Sequence, residues 1–252
     1  MRSGNPTLST NTFTDPAIRT VSAQGNTMTI MGTVHKTSIL LALTFIGAIF
    51  TWTTIMNQIA TGTAPGMGWM ALGGIGGFVL AMITVFKKTA APITAPIYAV
   101  FEGLLLGSIS ALIETRYPGI VTQAILGTFG VFATMLLLYK FRIVQATERF
   151  KLGVLAATGG IALVYMISFV LSFFGTTIPY IHESGKIGII FSLVTVGIAS
   201  LNLVLDLDLI EQGERAEAPK FMEWYGAFAL LVTLIWLYFE ILRLLTKLNS
   251  RK

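Results

Sequence analysis

The chain has 252 residues, of which 54% are hydrophobic and 12% are charged, and its mean hydropathy is +0.76. Soluble domains carry about a quarter charged residues, so this composition predicts an integral membrane protein. The absence of cysteine and the presence of only two histidines exclude disulfides, cysteine nucleophiles and a histidine-rich zinc centre. The formal net charge of +5 comes from Lys and Arg in short loops, so we expect no nucleic-acid partner.

The apolar segments predict an all-α, polytopic bundle of seven transmembrane helices, because about 20 apolar residues cross a bilayer core of roughly 30 Å. Residues 1–36 are rich in Ser, Thr, Asn and Gly and have no apolar run long enough for the core of a secretory signal, so we predict a disordered cytoplasmic tail. The segments of the bundle at 37–247 are Thr37 to Asn57, Met67 to Phe86, Pro92 to Ile113, Gly119 to Tyr139, Leu152 to Phe174, Ile187 to Leu209 and Phe221 to Leu245. A basic tail follows at 248–252. A re-entrant last segment is the alternative to a seventh crossing.

The orientation follows from Lys and Arg, which are in excess in cytoplasmic loops. With the amino terminus inside, the outer loops contain Arg116 and Lys186. The inner side collects Arg2, Arg19, Lys36, Lys87, Lys88, Lys140, Arg142, Arg149, Lys151, Arg215 and Lys220. We therefore predict a cytoplasmic amino terminus. The side of the carboxyl terminus stays open, because it depends on whether the last segment crosses.

Small residues predict where the helices pack, because helices in lipid associate through close backbone approach. The third segment has Ala99, Gly103, Gly107 and Ala111 at four-residue spacing. The second segment contains Gly73, Gly74, Gly76 and Gly77. We predict that both sets face neighbouring helices.

Glu102 lies near the middle of the third segment, close to where the bilayer midplane falls. An ionisable group at that depth costs about 2.5–3.5 kcal/mol on insertion scales. Such a residue is a candidate for an ion pathway or a proton relay. The alternative is a protonated carboxyl group that hydrogen-bonds to a neighbouring helix.

A stripe of polar and small residues follows one face of the sixth segment at three- and four-residue steps. Its members are Ser192, Thr195, Ala199, Asn202 and Asp206. Asp208 lies about 200° around the helix from Asp206, so the two carboxyl groups cannot face one cavity. We predict Asn202 and Asp206 as pathway residues. Asp208 is a secondary candidate, with a carboxylate at the membrane interface as the alternative.

The seventh segment carries Thr233, Trp236 and Glu240, and Arg243 follows three residues after Glu240. This spacing favours an ion pair within one helix, and the aromatic residues are typical of interface anchors. The spans contain no Ser-His-Asp set and no His-Glu-x-x-His motif, and the loops are too short for an enzyme pocket. We expect a protein that is not an enzyme and has no cofactor and no tightly bound metal.

Several stretches resemble one family of membrane proteins. In the carboxyl-terminal region they are ASLNLVLDLDLIEQG at 199–213, APKFMEWY at 218–225 and TLIWLYFEILRLL at 233–245. RSGNP at 2–6, GTVHK at 32–36 and FEGLLLG at 101–107 extend the similarity over nearly the whole chain. The chain resembles the bacterial YccA-like branch of the Bax inhibitor (transmembrane Bax-inhibitor-motif) family.

This resemblance implies a last helix wrapped by six others, a location in the bacterial inner membrane, and a pH-sensitive calcium leak in which two membrane aspartates sense protons. The first of those aspartates corresponds to Asp206. The second falls on Thr233, which cannot ionise, and the family's transmembrane arginine has no counterpart in the second segment. Glu240 is a poor substitute for the missing carboxyl group, because it is expected about 20 Å from Asp206, and it stays, with Thr233, a secondary site candidate.

Two functions remain open from the sequence. In the first, Glu102, Asn202 and Asp206 supply oxygens to a pathway for calcium or another cation, since hard cations require oxygen ligands, and protonation closes the pathway. In the second, the protein transports nothing. It then modulates membrane partners, such as a quality-control protease, which it binds through the tail at 1–36. Ion flux in liposomes distinguishes the two functions.

Overall fold

The computed structural model describes residues 27–175 and 185–250, and these residues form seven α-helices. The helices are α1 (Ile30–Ala60), α2 (Gly68–Phe86), α3 (Ala91–Arg116), α4 (Ile120–Lys140), α5 (Glu148–Phe173), α6 (Lys186–Arg215) and α7 (Met222–Asn249). Each is long and apolar enough to cross a membrane. The predicted all-α membrane bundle is therefore confirmed, and its last segment is one continuous helix of 28 residues.

The first helix begins earlier in the chain than the sequence predicted. It starts at Ile30 rather than Thr37, because the Thr29 side chain caps it by accepting a hydrogen bond of 2.9 Å from Gly32 N. A threonine in this position satisfies a backbone donor that the helix itself leaves without a partner. Residues 30–36 of the predicted tail therefore belong to α1, and residues 1–26 lie outside the described residues.

The chain divides into two compact units. Among the described residues, the amino-terminal unit comprises 27–118 and Ile210–Leu231, and the carboxyl-terminal unit comprises Gly119–Leu209 and 232–250. Helices α6 and α7 contribute residues to both units.

Glycines let the helices of the amino-terminal unit approach closely. A Cβ atom added at Gly103 of α3 would lie 2.3 Å from the carbonyl oxygen of Thr44 in α1, and one at Gly107 would lie 2.1 Å from that of Ala48. A Cβ atom at Gly73 of α2 would lie 2.6 Å from the backbone nitrogen of Leu105 in α3. The backbones are thus in direct contact, as the spacing of small residues predicted.

Glu223, in the first turn of α7, ties the start of α1 to the α6–α7 connection. Its fully buried carboxylate accepts hydrogen bonds from Thr29 N at 2.9 Å and Thr29 Oγ1 at 3.0 Å. It also pairs with Lys36, and with Lys220 at 2.7 Å. We call this arrangement the Glu223 anchor. These partners compensate the negative charge of Glu223, which would otherwise be costly to bury.

Candidate functional site

Asp206 of α6 and Thr233 of α7 meet inside the carboxyl-terminal unit. Thr233 Oγ1 donates a hydrogen bond of 2.5 Å to Asp206 Oδ2. Asp206 is 0% exposed and Thr233 is 3% exposed. The family resemblance paired these two positions as proton sensors, and the structure brings their side chains into contact. The pair in this chain is one carboxyl group and one hydroxyl group.

Asn202 lies one turn before Asp206 on α6 and is 1% exposed. Its Nδ2 atom donates to Thr158 Oγ1 in α5 at 2.8 Å and to the carbonyl oxygen of Ile198 at 2.9 Å. Its Oδ1 atom is buried and has no hydrogen-bond partner among the described residues. A buried acceptor of this kind is an available ligand for water or a cation.

The predicted stripe on α6 is buried along its whole length. Ser192, Thr195, Ala199 and Asp206 are 0% exposed, like their neighbour Asn202 at 1%. We call these five residues the polar seam. At 1.5 Å per residue the seam is about 21 Å long, which is about two thirds of a bilayer core.

One end of the polar seam meets a lysine for which the sequence predicted no partner. Lys247, in the last turn of α7, donates to Ser192 Oγ and to the carbonyl oxygen of Gly188, both at 2.9 Å. The lysine is 5% exposed. Ser192 therefore binds an ammonium group inside the protein.

Glu240 belongs to a second network, in which Tyr165 also hydrogen-bonds to Thr195 of the polar seam. Its carboxylate accepts from Tyr165 OH of α5 at 2.9 Å, from Trp236 Nε1 at 3.2 Å and from Arg243 Nη1 at 3.1 Å, and Arg243 also donates to Tyr165 OH. The predicted Glu240–Arg243 ion pair is thus present. The expected separation of about 20 Å from Asp206 is wrong. Asp206 contacts Thr233, and Glu240 follows Thr233 by two helical turns, about 10 Å along the axis.

Asp208 lies outside the polar seam. Its Oδ2 atom is 2.8 Å from Lys151 Nζ in α5, and Glu148 Oε1 lies 3.6 Å from the same ammonium. The Lys151 side chain is 9% exposed and that of Asp208 is 20% exposed. The sequence assigned Lys151 to a loop, so it offered no sign of this partner. The angular separation of Asp206 and Asp208 predicted their different surroundings.

Glu102 lies in the amino-terminal unit and is 9% exposed. Gly77 of α2 makes room for its carboxylate, since a Cβ atom at Gly77 would lie 2.9 Å from Glu102 Oε2. The polar seam and Glu102 thus belong to different units. Among the predicted site residues, Asp206 and Thr233 are the pair whose side chains contact each other.

Within residues 27–175 and 185–250, no three His, Asp or Glu side chains cluster closely enough to hold a metal ion. Ligation along the polar seam would rely on the Asp206 carboxylate together with neutral oxygens, such as Asn202 Oδ1. Few and mostly neutral ligands are typical of weak cation binding rather than of a permanent metal site.

Comparison with known proteins identifies the family. The sequence profile of the Bax inhibitor 1 like family matches residues 5–250. No curated protein and no solved structure gives a significant match. The profile covers nearly the whole chain, including the helices that carry the polar seam, Glu102 and Glu240. The chain therefore belongs to the Bax inhibitor 1 like family.

Proposed function

We propose that this protein is a non-enzymatic, multi-pass protein of the bacterial inner membrane, from the YccA-like branch of its family, that provides a pH-sensitive leak or exchange pathway for cations. Calcium is the cation that the resemblance implies. One observation carries the proposal: a fully buried carboxyl group, Asp206, lies one turn from a buried amide oxygen, Asn202 Oδ1, that has no partner in the described residues. Such groups inside membrane proteins typically serve ion or proton pathways.

The proposed mechanism is electrostatic. An ionised Asp206 attracts a cation strongly, because charges interact more strongly in the low-dielectric interior than in water. Thr233 orients the carboxylate through its hydroxyl hydrogen atom, and Asn202 supplies a neutral oxygen to the passing ion. Protonation of Asp206 removes the negative charge, so acid closes the pathway. Glu102 is the rival proton-responsive residue.

The test is calcium flux through purified protein in liposomes that contain a trapped calcium indicator, measured between acidic and neutral pH. Asp206→Asn should abolish most of the pH dependence, since amide and carboxyl groups have similar size but only the latter titrates. Asp208→Asn is the matched control, because Asp208 faces Lys151, and it should retain the pH dependence of the flux per folded protein.

Two results would decide against this assignment. A pH response that survives Asp206→Asn and disappears in Glu102→Gln would move the sensor to α3. Wild-type flux of calcium and potassium no greater than that of empty liposomes would overturn the transport proposal. The function would then be that of a modulator that binds membrane partners, a membrane protease for example.

We also propose that the amino terminus is cytoplasmic, on the basis of the excess of Lys and Arg in the loops assigned to that side. Seven crossings then place the carboxyl terminus on the outer side. In this orientation Lys247 lies towards the outer side, and Lys151 lies towards the cytoplasm.

A further inference from the structure

Lys247 is in an unusual position for a lysine at the end of a membrane helix. Such lysines ordinarily extend their side chains to the interface, where the ammonium group stays hydrated. Here the ammonium turns inward to Gly188 O and Ser192 Oγ, each at 2.9 Å, and the residue is 5% exposed. Two neutral oxygens at the start of α6 therefore accept hydrogen bonds from the ammonium group, which also interacts electrostatically with Arg243 and Glu240.

Ser192 is the first residue of the polar seam, so the ammonium occupies that end of it. The oxygens that bind it are of the kind that coordinate alkali and alkaline-earth cations. Arg243 lies one turn earlier on α7, but its charge is paired with Glu240 at 3.1 Å. Lys247 thus places a cation where an ion that entered the seam from this end would pass.

We propose that Lys247 is a tethered blocking cation that closes the Ser192 end of the polar seam and disfavours divalent ions more than monovalent ions. This inference rests on the proposed cation pathway. The electrostatic repulsion between a fixed positive charge and an ion is proportional to the charge of that ion. A divalent ion meets twice the repulsion of a monovalent ion at the same point, which keeps calcium passage slow enough to be a leak.

The charge dependence of the block can be tested quantitatively in proteoliposomes. Lys247→Met removes the charge and keeps an unbranched side chain, whereas Lys247→Arg retains the charge. If Lys247→Met raises potassium flux about threefold, it should raise calcium flux about ninefold, because doubling an energy squares its Boltzmann factor. Lys247→Arg should remain close to the wild type, and the permeation of glycerol should not change in either variant.

If Lys247 only stabilises the packing, the three permeation rates should change in a different pattern. If loss of the lysine merely loosens the packing, then potassium, calcium and glycerol permeation rise by the same factor, and the proposal is overturned. Ser192→Ala is the second variant. It removes one of the two oxygens that accept hydrogen bonds from the ammonium group and keeps the charge in the chain. It should therefore raise cation flux less than Lys247→Met does. It carries the test if Lys247→Met does not elute as a monodisperse protein.

The flux measurements distinguish a failure of the proposed block from a failure of the proposed pathway. Wild-type flux with an unchanged Lys247→Met variant refutes the block and leaves the pathway intact. Flux that is absent in the wild type and present in Lys247→Met supports the block but overturns the leak proposed for the wild-type protein. Absence of flux in both proteins refutes the block together with the pathway.

Discussion

Lys151 and Asp208 form an ion pair of 2.8 Å between the first turn of α5 and the carboxyl-terminal part of α6. The pair gives two aspartates of the same helix distinct environments. Asp208 faces an ammonium group that is almost completely buried, whereas Asp206 accepts a hydrogen bond from a hydroxyl group. The negative charge of Asp208 is thus compensated locally, and a change at Asp206 alters the charge of the polar seam.

The first prediction concerns stability. Asp208→Asn removes the nearest negative charge from Lys151 and should lower the free energy of unfolding by about 1–3 kcal/mol. This is below the 3–5 kcal/mol typical of a broken buried pair, because Asp208 is partly exposed and Glu148 is close to the ammonium. The apparent unfolding temperature in detergent measures the effect. The double variant Lys151→Met/Asp208→Leu should recover most of the loss, and an unchanged Asp208→Asn protein would show that the pair contributes little.

The second prediction concerns the partner of Asp206. Thr233→Asp places a second carboxyl group within hydrogen-bond distance of the first. Two such groups cannot readily both ionise, and one proton is shared between them. The pH dependence of calcium flux should therefore become a two-step profile. Thr233→Val is the control, since it removes the hydroxyl group without adding a titratable one, and its profile should keep a single step. A single step in Thr233→Asp would mean that position 233 does not couple to Asp206.

The carboxyl-terminal unit also shows which structural features could be predicted from the sequence and which could not. The periodicity of α6 was sufficient to predict the buried stripe, because residues at three- and four-residue steps share a helix face whatever surrounds them. Thr158 and Tyr165 were not predicted as partners of Asn202 and Glu240. Their contacts join distant parts of the chain, and neither residue stands out in an apolar helix. The fold was thus predictable from local patterns, and the partners depended on tertiary packing.

The third prediction concerns the contact between α1 and α3. Gly107→Ala should destabilise the protein by about 1–3 kcal/mol, the usual cost of overpacking, because the added methyl group would lie 2.1 Å from the carbonyl oxygen of Ala48. Gly160→Ala of α5 is the matched control. Nothing lies within 4 Å of its new atom, and it should be neutral or stabilising by up to about 1 kcal/mol. Equal unfolding temperatures of the two variants in detergent would contradict the close contact.

The fourth prediction concerns orientation. Gln145 lies between α4 and α5, in the loop that we propose to be cytoplasmic. Because the native chain has no cysteine, Gln145→Cys gives a single reactive site. A membrane-impermeant thiol reagent added to intact cells should leave it unlabelled, and the same reagent should label it after the membrane is opened. Labelling in intact cells would reverse the proposed topology.

The Glu223 anchor has a consequence for the order in which the chain assembles. Lys36 and Glu223 are separated by 187 residues, and the backbone nitrogen of Ile30 also donates to Glu214, at 2.8 Å. During synthesis, the start of α1 therefore lacks its carboxylate partners until the end of α6 and the beginning of α7 have emerged from the ribosome. A nascent chain that stops before Glu214 leaves Thr29, Ile30 and Lys36 without these acceptors. The start of α1 thus reaches these contacts only after the beginning of α7 has been synthesised.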